Sequence, residues 1–427
     1  MKKNIRFLLL IFFDTFKTTP NPSLGRRGAF LEKFCFVFSK QRNKILKQFP
    51  SFKGGVRGGL LGFFLLIFFS ISLKAQKKPF EIGFNTDYGF ILKHTKGVGH
   101  LIKAHPYGLT ASFGKLHLGN QTWQQRYNYP KTQYSLTYFD FRNPMIGKTI
   151  SASANLFVPI TKNKQKRSQV EFHIGTGFVY ATNPFDINTN PQNTVLSSRM
   201  SYLMRAGLHY QYNITKNLQI RTSLQLTHNS NAARILPNNG INIVSLSVGT
   251  AYLFNAENVI YQQQNTSVFE KKWYLQSVVA LSPIETFVNQ GKKDWVVNWG
   301  IYVAKDVSKM FRMSIGTDIS WNEGIKRQIE KKFILPTDTR PDYRRMSVVT
   351  GGELLFGKMS LQAQFGYYFY RPFPSRTDQP FYQRYGLRYY VWEGIYTGIF
   401  LKTHSATAES VEFSLGYNFA FKKKQKL

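Results

Sequence analysis

His228 and Ser230 stand two residues apart in the run Leu226-Thr227-His228-Asn229-Ser230-Asn231. A serine hydroxyl becomes a nucleophile when an imidazole takes its proton, and the imidazole needs a third group to orient it. In an extended chain residues i and i+2 share a face with Cα atoms about 6.5–7 Å apart, so the two side chains can converge. The strand that must carry them runs from Gln219 to Ser230. Ile220, Thr222, Leu224, Leu226, His228 and Ser230 fall on one face, and Gln219, Arg221, Ser223, Gln225, Thr227 and Asn229 on the other. The first row is mainly apolar until its last two members, and the second is polar throughout. That pattern fits a strand with lipid outside and a polar lumen inside, and it puts His228 and Ser230 at the rim of the apolar band. The next segment sets Asn242, Val244, Leu246, Val248, Thr250, Tyr252 and Phe254 against Ile243, Ser245, Ser247, Gly249, Ala251 and Leu253. Asn242 begins this lipid-facing row, and hairpin pairing predicts that it meets His228 and Ser230.

Alternation of the same kind recurs to the end of the chain, bounded by turn residues. Ile150, Ala152, Ala154, Leu156 and Val158 form one apolar row; Val170, Phe172, Ile174, Phe178 and Tyr180 form another. Met359–Phe369 and Val411–Phe421 repeat the pattern. Rows of about ten residues suit tilted membrane strands. The spacing predicts an all-β fold, a transmembrane antiparallel β-barrel of about 14 strands (12 to 16), with roughly eight before residue 255 and six after. No segment supports a long amphipathic helix. The short turn Asn213–Asn217 suits the periplasmic side and the longer connection Asn231–Ile241 the outer side. His173 points inward by the same alternation.

Composition agrees with this class. Mean hydropathy is −0.28, which excludes a bundle of membrane helices but not a barrel, whose strands are only half apolar. The formal charge of +35 suits acidic lipid or lipopolysaccharide phosphate. It also suits basic loops and lumen, and no nucleic-acid-binding signature accompanies it. The single cysteine, Cys35, precedes the predicted mature chain, so neither disulfides nor thiolate metal sites are expected, and no cofactor is implied. Residues 59–75 read as a signal peptide with cleavage between Ala75 and Gln76. Residues 1–58 then form an upstream extension, read as a start assigned too early. Residues 76–254 carry the strands around the His/Ser pair, and 255–427 add further barrel strands.

His228-Asn229-Ser230-Asn231-Ala232, followed by Pro237-Asn238-Asn239-Gly240-Ile241-Asn242, resembles the motif of the outer-membrane lipid A 3-O-deacylases (PagL type), also described as acyloxyacyl hydrolases. In that family a His-x-Ser-Asn-Ala segment precedes an Asn-x-Gly step and a carboxylate at the start of the next strand. The resemblance runs over about residues 86–254. It implies an eight-stranded barrel in the bacterial outer membrane, with lipid A as substrate and hydrolysis of an ester-linked acyl chain as the reaction. It implies Ser230 as nucleophile and His228 as base, Asn231 helping to hold the oxyanion and Asn238 supporting the loop. The chain departs from the pattern at the acid, where the family has glutamate and this sequence has Asn242. An amide can orient the imidazole but cannot stabilise its cation, and such a replacement in a serine triad can cost about 10⁴ in turnover. Asp186, in the outer loop after Tyr180, is a candidate substitute acid. The resemblance gives no role to 255–427.

Each residue also has a reading without chemistry: His228 as an interfacial residue, Ser230 as a strand cap, and Asn231, Asn238, Asn239 and Asn242 as turn residues. The alternatives to an esterase are a porin or structural barrel and a lipopolysaccharide-binding homologue with little turnover.

Overall fold

The computed structural model describes residues 78–421, apart from 264–268, 336, 375–378 and 406. The predicted extension 1–58 and signal peptide 59–75 lie outside the described residues. Eight strands precede residue 255: β1 (Phe80–Leu92), β2 (Tyr107–Leu116), β3 (Lys131–Asp140), β4 (Lys148–Pro159), β5 (Ser168–Ala181), β6 (Met200–Asn213), β7 (Leu218–Ser230) and β8 (Ile241–Phe254). Each pairs antiparallel with the next, and β8 returns to β1 from Phe80↔Phe254 to Leu92↔Asn242, closing a barrel. Eight more follow: β9 (Trp273–Ile284), β10 (Asp294–Asp306), β11 (Phe311–Asn322), β12 (Arg345–Phe356), β13 (Met359–Tyr370), β14 (Phe381–Tyr390), β15 (Ile395–His404) and β16 (Thr407–Ala420). These close separately, β16 pairing with β9.

The all-β membrane class stands, but the single barrel of about 14 strands is corrected to two barrels of eight. The second half contributes eight strands rather than six. Closure satisfies the backbone hydrogen bonds of both edge strands in each half, which one wider barrel was not needed to do.

The predicted faces hold. Phe84, Leu109, Leu136, Ile220, Leu224, Leu246, Ile301, Ile315, Phe365 and Leu415 lie on the outside, and the inward rows are buried and polar. In the first lumen Glu81 pairs with Arg221 and with Lys131 (3.0 Å), which also reaches Glu171 (3.4 Å). His173 lies inside, stacked on Phe157. In the second, Asp318 takes Arg384 (2.8 Å), Tyr382 (2.6 Å) and Tyr302, while Glu412 takes Arg384 (2.7 Å). Buried charges persist only when paired, and in eight-stranded barrels such side chains fill the interior. At one end of the first lumen Val98, Leu101, Phe141, Ile146 and Leu196 of the loops form an apolar plug with Ile91 of β1 and Ile241 and Ile243 of β8. The plug backs the Ile241 end of β8.

Among the described residues, two α-helices interrupt the loops. α1 (Thr122–Arg126) joins β2 to β3, and α2 (Glu323–Lys332) follows β11, its first turn capped by Asn322 Oδ1 accepting from Ile325 N–H (3.1 Å). α1 meets the second barrel: Arg126 donates to Lys309 O (2.9 Å), and the ring of Tyr127 lies 4.2 Å from that of Phe356.

Candidate functional site

The register of β7 and β8 sets His228 directly opposite Asn242. His228 Nδ1 and Asn242 Oδ1 are 2.6 Å apart. With the amide carbonyl facing the ring, Nδ1 carries the proton and Nε2 keeps its lone pair, the tautomer a general base needs. Behind the ring lies Gly240 at φ 69°, where an added Cβ would stand 2.7 Å from His228 Cε1. Only a glycine allows both that backbone conformation and that closeness.

Ser230 ends the same outward row and is 7% exposed. Its Oγ accepts from the amide of Asn238 (Nδ2, 2.7 Å) and from Ala232 N–H (3.0 Å). It makes no hydrogen bond to His228 in this rotamer. The structure thus joins His228 to Asn242 and Ser230 to Asn238, on neighbouring rungs of one strand.

Asn231 does not touch Ser230. Its side chain donates to Ser197 Oγ (2.8 Å) and Ile235 O (3.0 Å), and its own N–H donates to Asn238 Oδ1 (3.3 Å). The Asn231 side chain is thus bonded within the loop, while Asn238 accepts from the Asn231 N–H through Oδ1 and contacts the Ser230 hydroxyl through Nδ2. Asp186 does not reach the imidazole either. Its carboxylate accepts from Thr189 N–H (2.9 Å) and Asn188 N–H (3.0 Å), which hold its pKa below the ordinary value.

The loop 231–240 passes through Ala232 and Ala233 at φ 51° and 61°, a left-handed conformation costing about 1–2 kcal/mol per non-glycine residue. Its far side is anchored by Asn239 N–H to Thr194 O (2.9 Å) and Gly240 N–H to Val195 O (3.1 Å). Sequence reasoning had Gly240 only as the glycine of the Asn-x-Gly step, and it missed Ser197 and the residues after β9 that meet this loop, Glu285 and Lys293. These carry no local signal, since their partners lie far away in sequence.

Two closed barrels with apolar outer rows and polar, charged lumens define an outer-membrane β-barrel protein. The lipid A 3-O-deacylase (PagL) family model matches residues 108–251, and that of the acyloxyacyl hydrolase C-terminal domain matches 271–423. The chain belongs to this family of hydrolases, and it resides in the bacterial outer membrane. No curated protein matches it. Among solved structures it is similar to Neisserial surface protein A (TM-score 0.27, 12% identity, 40% of this chain and 96% of that one). It is similar also to the outer membrane enzyme PagL (0.26, 15%, 39% and 97%) and to Ail of Yersinia pestis (0.24, 12%, 42% and 99%).

Proposed function

We propose that this chain is an outer-membrane deacylase that removes an ester-linked acyl chain from lipid A, with Ser230 as nucleophile, His228 as base and Asn242 as the group that orients it. The observation that carries the reading is the 2.6 Å contact of His228 Nδ1 with Asn242, two residues from Ser230 on the outward-facing row of β7. A site that faces lipid suits a substrate whose acyl chains never leave the bilayer.

Rotation of Ser230 about χ1 turns Oγ toward His228 Nε2; such bonds are often open until substrate arrives. Oγ attacks the ester carbonyl as its proton passes to Nε2. The Ala232 N–H and the Asn238 amide, no longer occupied by Oγ, then face the developing oxyanion. Collapse expels the sugar oxygen, which takes the proton from the imidazolium and leaves the acyl group on Ser230. Water, deprotonated by His228, hydrolyses that ester and frees the fatty acid. Asn242 keeps the ring in its tautomer throughout.

The test is fatty-acid release from lipid A vesicles by the purified full chain. Release by the wild type and background release by Ser230→Ala or His228→Ala is the expected result. Equal release from all three would refute the assignment.

A further inference from the structure

We propose that the second barrel braces the catalytic loop of the first, with Glu285 as a positioning residue for the surroundings of Ser230. The proposal rests on the deacylase reading above. The loop leaves β7 through two alanines at positive φ, a conformation that persists only when its surroundings impose it. Three backbone groups of this loop find their partners on the second barrel. Leu236 N–H donates to Glu285 Oε2 (2.8 Å), Ala233 O accepts from Glu285 N–H (2.9 Å), and Arg234 O accepts from Lys293 Nζ (2.8 Å). Lys293 closes the clamp on Glu285 Oε1 at 2.7 Å. Glu285 is 7% exposed, so its carboxylate is committed to these contacts rather than to water.

The clamped segment is flanked by the groups that touch the nucleophile. Ala232, whose N–H reaches Ser230 Oγ, precedes Ala233, and Asn238 follows Leu236 by two residues. A buried amide deprived of its acceptor must move or find water, and here movement displaces both donors. This gives a role to a barrel that contributes none of the proposed catalytic side chains.

The test uses the full chain in outer-membrane preparations. Glu285→Ala is expected to lower kcat on lipid A about 10- to 100-fold, the scale of a small misplacement, with KM changed less than about threefold. Glu285→Gln keeps an acceptor for Leu236 N–H and is expected to return kcat to within about threefold of wild type. Trypsin cleavage after the exposed Arg234 is expected to quicken in Glu285→Ala, and this readout requires no turnover. Wild-type kcat in Glu285→Ala overturns the proposal, as does a Gln variant no better than Ala. If no variant, wild type included, acts on lipid A, the deacylase reading fails alone; faster cleavage then still supports the brace and unchanged cleavage overturns it. Should Glu285→Ala not fold, Lys293→Met replaces it. Faster cleavage supports the brace, and unchanged cleavage with unchanged kcat overturns it.

Discussion

His228 is held by an amide, where a carboxylate would also supply charge. Asn242 fixes the ring at 2.6 Å yet leaves the imidazolium of the transition state without a counter-charge. Asn242→Glu is therefore expected to raise kcat by about tenfold or more, because the charge acts mainly when the proton has moved. Asn242→Ala is expected to lower it. A steady-state comparison of the three proteins checks the order, and an Asn242→Glu enzyme slower than wild type would show that ring placement outweighs charge. Much at this scale was legible beforehand. The period of two aligns His228, Ser230 and Asn242 without any knowledge of the loop. The contact of Asn238 with Ser230, and the turning away of Asn231, depend on the path through Ala232 and Ala233, which no local pattern encodes.

Among the elements, the strands of the first barrel were legible from their apolar outer rows, which stand out even though Glu81, Lys131, Glu171 and Arg221 are among the inward residues. β14 is harder. In Phe381–Tyr390 the inward Arg384 and Arg388 interrupt the pattern, and the carboxylates that justify them, Asp318, Glu412 and Glu353, come from β11, β16 and β12. The α1 corner offers a test by pH. His117, just beyond β2, bonds Thr132 Oγ1 (2.8 Å) and lies 5.1 Å from the ring of Trp123. Burial, and then the charge of Lys115, hold its pKa down to about 4 from 6.5. The unfolded chain takes up the proton first, so the contribution of this group is complete above pH 6.5 and is lost as pH falls toward about 4. Urea midpoints measured from pH 7 to 4 should decline across that window and decline less in His117→Asn. Equal slopes would contradict the burial of a neutral ring.

At the scale of the whole molecule, two narrow barrels replace one wide one, and this changes what the protein can transmit. A barrel of about 14 strands leaves an aqueous lumen, whereas eight strands leave room for side chains alone. Both interiors carry paired charges, from Glu81 and Arg221 in the first to Asp318 and Arg384 in the second. The full chain in planar bilayers is expected to show no steady porin-like conductance, and a stable open level would contradict the filled lumens. The presence of two closures was not legible, because alternation reports which way a residue faces and not which strand it pairs with. The link between the halves through Glu285 was hidden for the same reason.

The most direct measurement is the mass profile of lipid A from cells producing the wild-type chain beside cells producing Ser230→Ala at equal levels of folded barrel. The account predicts that wild-type cells yield lipid A lighter by one acyl chain while Ser230→Ala cells keep the parent species. Loss of the same chain in both, or in neither, would contradict it.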